Sequence, residues 1–120
     1  MFNPAWSDAI SSIESGGNYG ILGPVTKNGD RAVGKYQVMT SNIGPWTKEV
    51  LGKAMTPQEF ANNPAAQDAV FQAKFGQSVA KYGNPQDAAS VWFTGKPLAQ
   101  GAGRSDVLGT TGQGYVDKFN

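Results

Sequence analysis

The chain has no histidine and no cysteine, and these two absences remove most of the familiar catalytic equipment. Without cysteine there is no disulfide, no thiol nucleophile and no thiolate metal site. Without histidine the commonest general base is gone, along with the Ser-His-Asp triad and most zinc sites. Neither a metal nor a cofactor is therefore expected. Charge is scarce as well. Only 16% of residues are charged and the formal net charge is +1, so no basic face of the kind that binds nucleic acid is expected. No apolar run reaches the roughly eighteen residues that a membrane span needs. The glycines of 101–114, Gly101-Ala102-Gly103 among them, have neither the preceding strand nor the lysine of a phosphate loop, which argues against nucleotide binding. Chemistry is left to carboxylates, hydroxyls, amides and lysines.

What is present reads as one soluble globular domain spanning 1–120, long enough for one modest core. The opening MFNPAWSDAI has no charged start, apolar stretch or cleavage site of a signal peptide. Three expectations follow: a leader already removed, delivery by another route, or a domain of a longer chain. Helix starts are unusually legible. Asn3-Pro4, Thr56-Pro57, Asn63-Pro64 and Asn84-Pro85 each join a capping side chain to a proline, which loses nothing at the first helical position by lacking an N–H. Thr56 with Glu59 adds a capping-box pattern.

These signals predict a helix over Pro4–Ser15, with Trp6, Ile10 and Ile13 on its buried side and Gly16-Gly17 as its stop. Two β-prone pieces follow, Gly20–Leu22 and Lys35–Met39, which can pair as a hairpin around Lys27-Asn28-Gly29-Asp30. Helices are expected over Ile43–Leu51, after Pro57, and over Pro64–Tyr82, where Phe71, Phe75, Val79 and Tyr82 form one stripe. Gly83 ends that helix. Another runs from Pro85 to Gly95 with Ala88, Val91 and Trp92. A glycine-rich loop over 95–112 then leads to a short helix at Tyr115–Phe119. The expected fold class is mainly α, with one small β-hairpin between the first two helices.

Glu14 stands out among the carboxylates. It lies four residues after Ile10 and one after Ile13, at the edge of the buried stripe. It also falls in the last helical turn, where the negative end of the helix dipole disfavours ionisation, as partial burial does. No lysine or arginine lies within four residues to oppose these effects. A raised pKa is thus expected, as suits a general acid working near neutral pH. The bland alternative is a solvated glutamate at a helix end.

Three stretches in order bear on that choice: Glu14-Ser15-Gly16-Gly17, then Gly34-Lys35-Tyr36-Gln37-Val38-Met39, then Ala89-Ser90-Val91-Trp92-Phe93-Thr94-Gly95. Together they resemble the three motifs of soluble lytic transglycosylases, over roughly residues 5–119. The resemblance implies a lysozyme-like α fold with a central cleft for the glycan of peptidoglycan. It also implies that Glu14 protonates the glycosidic oxygen between N-acetylmuramic acid and N-acetylglucosamine. The same carboxylate then takes a proton from the muramic acid 6-hydroxyl, closing a 1,6-anhydro ring. One carboxyl suffices, so the paired-carboxylate test for glycosidases does not apply. The resemblance further implies glycan strands as partner and the bacterial wall as place of action. Its members serve in periplasmic wall remodelling, in secretion machines and in phage tails or virions. The chain's start favours a phage particle or an excised domain.

By the same resemblance Ser15, Gln37, Asp30, Trp92 and Tyr115 are candidate substrate-binding residues. Gln37 matches the motif glutamine near the scissile region, with a buried amide bonded to backbone as the alternative. Tyr36 replaces an apolar family residue, and packing is its expected role. Trp92 stands where the family has a tyrosine near the catalytic glutamate. Indole donates a hydrogen bond but cannot accept one, so Trp92 stacks on a sugar or fills core, and Tyr115 is the candidate to supply the missing phenol. Gly29-Asp30-Arg31 is similar to a run in goose-type lysozymes, hydrolases whose aspartate positions water. The alternative for Asp30 is a turn aspartate bonding its own backbone. Two further readings thus stay open: a hydrolytic lysozyme using Glu14 with Asp30, and a catalytically silent glycan-binding module.

Overall fold

The computed structural model describes residues 2–94 and 112–120. It is mainly helical with a small two-stranded antiparallel sheet. In chain order the elements are α1 (Pro4–Glu14), β1 (Ala32–Val33), β2 (Val38–Met39), α2 (Thr40–Leu51), α3 (Pro57–Ala61), α4 (Pro64–Tyr82), α5 (Pro85–Thr94) and α6 (Gly112–Phe119). The expected end of α5 at Gly95 and the glycine-rich loop fall outside the described residues. No described helix is long and apolar enough to cross a membrane.

All four proline-marked helix starts are built as their chemistry requires. Asn3 Oδ1 accepts from the Ala5 N–H at 2.9 Å, Asn63 Oδ1 from Ala66 at 3.1 Å and Asn84 Oδ1 from Asp87 at 2.8 Å. At α3 the box is reciprocal. Thr56 Oγ1 accepts from the Glu59 N–H at 3.1 Å, and Glu59 Oε1 accepts from the Thr56 N–H at 2.9 Å. Each such cap satisfies a donor that the helix geometry orphans. The bond from the Thr56 N–H, foremost, holds the Glu59 carboxyl below its ordinary value.

The chain divides into two compact units. One is Glu14–Ala73; the other joins Met1–Ile13 with Lys74–Asn120. In the first, the core includes Val33, Tyr36, Val38, Ile43, Phe60, Val70 and Phe71, and the rings of Tyr36 and Phe71 stack 4.2 Å apart at 9°. In the second, Ile10, Phe75, Ala88, Ala89, Tyr115 and Val116 are buried. There α5 packs on α6, and Trp6 meets Phe75 at 5.7 Å between ring centroids. Burying each phenylalanine contributes about 1.5–3 kcal/mol.

The β region differs from expectation in its pairing. The pieces around Leu22 and Val38 do not pair with each other. Ala32–Val33 runs between them, pairing antiparallel with Val38–Met39 on one side and bridging Leu22 through Val33 on the other. Bonds from Gly23 N to Ala32 O and from Gly34 N to Ile21 O close that second ladder. The turn at Thr26–Asp30 is real, but it joins 21–23 to 32–34. The reason is a second reversal that the sequence pattern hid: Gly34 and Gln37 both adopt left-handed φ, 83° and 55°, and fold the chain back within the Lys35–Met39 stretch.

Other boundaries moved less. On α1 the buried positions are Ile10 and Ser11, while Trp6 and Ile13 are half-buried. Phe71 and Phe75 of the α4 stripe are fully buried, whereas Val79 and Tyr82 are half-buried. Helix α2 begins at Thr40, three residues ahead of the expected Ile43, because its first turn has a cap from outside the helix. Helix α6 also starts early, at Gly112 rather than Tyr115.

Candidate active site

Glu14 is the last residue of α1 and is half-buried. Gly16 and Gly17 follow at φ 66° and 88°, a region glycine enters without the penalty of a Cβ, and they carry the chain out of the helix. Between them and Glu14, the Ser15 hydroxyl does three things. It donates to the Lys35 carbonyl at 2.6 Å and accepts from the N–H groups of Gly17 and Asn18 at 3.1 and 3.2 Å. The end of α1 is therefore fastened to the Gly34–Gln37 turn. The first two of the three sequence motifs meet through this bond.

The turn is itself held from α4. Gln67 is buried, its Oε1 accepting from the Lys35 N–H at 2.8 Å. The two hydrogens of Nε2 are shared among the carbonyls of Phe60, Tyr19 and Ala61 at 2.9–3.2 Å. Next along the helix, Asp68 accepts from the hydroxyls of Tyr19 (2.8 Å) and Tyr36 (2.7 Å). The Lys35 ammonium donates to the Tyr19 hydroxyl at 3.4 Å and lies 4.8 and 5.4 Å from the centroids of the Tyr19 and Tyr36 rings. Lys35 is thus gripped at its N–H, its carbonyl and its ammonium.

Gln37 spends its amide nitrogen on backbone. Nε2 donates to Gly34 O at 3.0 Å and to Ile21 O at 3.3 Å, and the side chain is half-buried. This is the backbone-bonding arrangement, which braces the left-handed turn. Tyr36 packs, as expected, with its hydroxyl satisfied by Asp68. Asp30 does not bond its own backbone. Its carboxylate accepts from Thr40 Oγ1 at 2.5 Å and from the Ser41 N–H at 3.0 Å, capping the first turn of α2. Those bonds, Thr40's foremost, hold the Asp30 carboxyl below its ordinary value. Among the described residues, no group of three or more His, Cys, Asp or Glu side chains stands where it could hold a metal ion.

Glu14, Ser15, Asp30 and Gln37 belong to the unit Glu14–Ala73, and Trp92 and Tyr115 to the other. Trp92 is half-buried on α5. Tyr115 is buried on α6, its ring stacked on Phe93 at 4.7 Å and 10°. Sequence reasoning missed Tyr19, Lys35, Gln67 and Asp68. A signal for Gln67 existed: it sits four residues before Phe71 and eight before Phe75, so the apolar stripe of α4 runs straight through it. A polar residue on a buried stripe must find partners. No protein-family model, curated protein or solved structure matches the chain.

Proposed function

We propose that this chain is a peptidoglycan-cleaving lytic transglycosylase on a lysozyme-like fold, with a central cleft for the glycan and Glu14 as its single acid and base. The observation that carries this reading is the Ser15–Lys35 hydrogen bond. It joins the Glu-Ser helix end to the glycine–glutamine turn, two of the three motifs that together carry the resemblance. A half-buried carboxyl at a helix C-terminus suits the role, since dipole and desolvation both favour its protonated form. Glu14 would give its proton to the glycosidic oxygen leaving N-acetylmuramic acid. The resulting carboxylate would then remove the proton of the 6-hydroxyl as that oxygen attacks the anomeric carbon, and the acid is regenerated as the 1,6-anhydro ring closes.

The hydrolytic alternative needs a second carboxylate to direct water, and Asp30 spends its Oδ1 on Thr40 and Ser41 at the start of α2. The silent-module alternative is disfavoured by the retained Glu14. On this reading the partner is the glycan strand, the place of action is the bacterial wall, and delivery is by a phage particle or secretion assembly. The test is digestion of purified peptidoglycan followed by mass analysis. Anhydro-muramic ends are expected from the wild type. Glu14→Gln should yield no cleavage while its stability stays within about 1 kcal/mol, because the swap is nearly isosteric. Reducing ends, or continued lysis by the variant, would defeat the assignment.

A further inference from the structure

The residue beside Glu14 is held by a chain of contacts that begins on α4. Gln67 Oε1 accepts from Lys35 N–H, and Lys35 C=O accepts from Ser15 Oγ. Lys35 is held by its side chain as well, its ammonium donating to the Tyr19 hydroxyl, which in turn is bonded to Asp68. Gln67 is held too, since its Nε2 is shared among three carbonyls from two other segments and the side chain is buried. The two links that join Gln67 to Ser15 are short, 2.8 and 2.6 Å, and they start from a helix. We infer that Gln67 and Ser15 are positioning residues that act through Lys35 to set where the Glu14 carboxyl stands.

This rests on the reading of Glu14 as the acid, and it assigns Ser15 a role other than touching substrate. The consequence is kinetic. Loss of the fastening lets the end of α1 relax, and a misplacement of about 1 Å at a reacting group costs on the order of a hundredfold in rate. Substrate binding made elsewhere in the site is untouched, so KM should not follow.

The experiment compares Ser15→Ala, Ser15→Thr and Gln67→Met with wild type on solubilised peptidoglycan. Ser15→Ala should lower kcat about ten- to a hundredfold with KM within about twofold. Ser15→Thr keeps the hydroxyl and should recover most of the loss. Gln67→Met fills similar volume but makes no hydrogen bond to Lys35, and should resemble Ser15→Ala. If Gln67→Met does not fold, the Ser15 pair alone decides. Wild-type kcat in Ser15→Ala, or a rise in KM alone, overturns the inference. If Glu14→Gln still cleaves the wall, the functional reading falls separately. Positioning is then judged from the NMR signals of the Glu14 carboxyl carbon and amide, which Ser15→Ala must displace; unmoved signals overturn it.

Discussion

Gly34 stands at φ 83°, and a Cβ built there would lie 2.6 Å from Gln67 Cδ and closer still to Oε1. Gln67 is 1% exposed and bonded at both ends of its amide, so it cannot turn aside without breaking those bonds. Two costs therefore add in Gly34→Ala. Placing an alanine in the left-handed region costs about 1–2 kcal/mol. Displacing a buried amide from its partners costs about 1–3 kcal/mol more. The total, about 2–5 kcal/mol, is a large share of the roughly 5–15 kcal/mol that holds a domain folded. Gly29→Ala separates the two terms, because Gly29 has nearly the same φ, 82°, but nothing within 4 Å of its missing Cβ. It should lose only the backbone term, about 1–2 kcal/mol. Urea unfolding of both variants, followed by tryptophan fluorescence and compared at equal m, reads the difference. Equal losses would mean that Gln67 does not press on Gly34, and the account of the turn would fail with it.

Asp30 gives a pH signature. Its folded pKa is lowered, so its contribution to stability is present above the unfolded value, about 3.9, and is lost as pH falls through the folded value. Asp30→Asn should therefore melt lower than wild type near pH 6 and show a flatter fall in Tm between about pH 5 and 2. The same variant should still release 1,6-anhydro products at nearly the wild-type rate; loss of cleavage would return Asp30 to a catalytic role. Thr56→Ala removes the hydroxyl half of the α3 cap and should cost about 1 kcal/mol in denaturant unfolding. A smaller loss than about 0.3 kcal/mol would show that α3 is held by Phe60 and its packing alone.

The helices were legible wherever a local rule dictates the outcome. Asn3, Thr56, Asn63 and Asn84 bond within three residues of themselves, and a glycine or proline beside a cap speaks only about its own turn. The β region was legible in existence but not in pairing. Strands of two residues carry too little alternation to fix a register, and the left-handed φ of Gln37 has no sequence mark, since it is not glycine. The start of α2 was misplaced because its cap, Asp30, is ten residues distant. Within the candidate site, Glu14 was singled out by motif and helix phase and Ser15 by motif. Gln67 and Asp68 were not, because the contacts that tie them to Tyr19, Lys35 and Tyr36 span 32 to 49 residues and no local pattern reports such a contact. For Gln67 the only trace was its place on the stripe of Phe71 and Phe75.

Those long reaches also order events in time. A nascent chain that ends before Gln67 offers the Lys35 N–H no acceptor and leaves the hydroxyls of Tyr19 and Tyr36 without Asp68. Loop closure must be met before such distant contacts return anything. The segment from Glu14 to Met39 therefore has to wait, through the synthesis of α2 and α3, for the first turn of α4 to leave the ribosome. Any arrangement of Glu14 and the glycine turn before that moment is provisional. One helical turn supplies both the acceptor for Lys35 and the carboxylate for the two tyrosines.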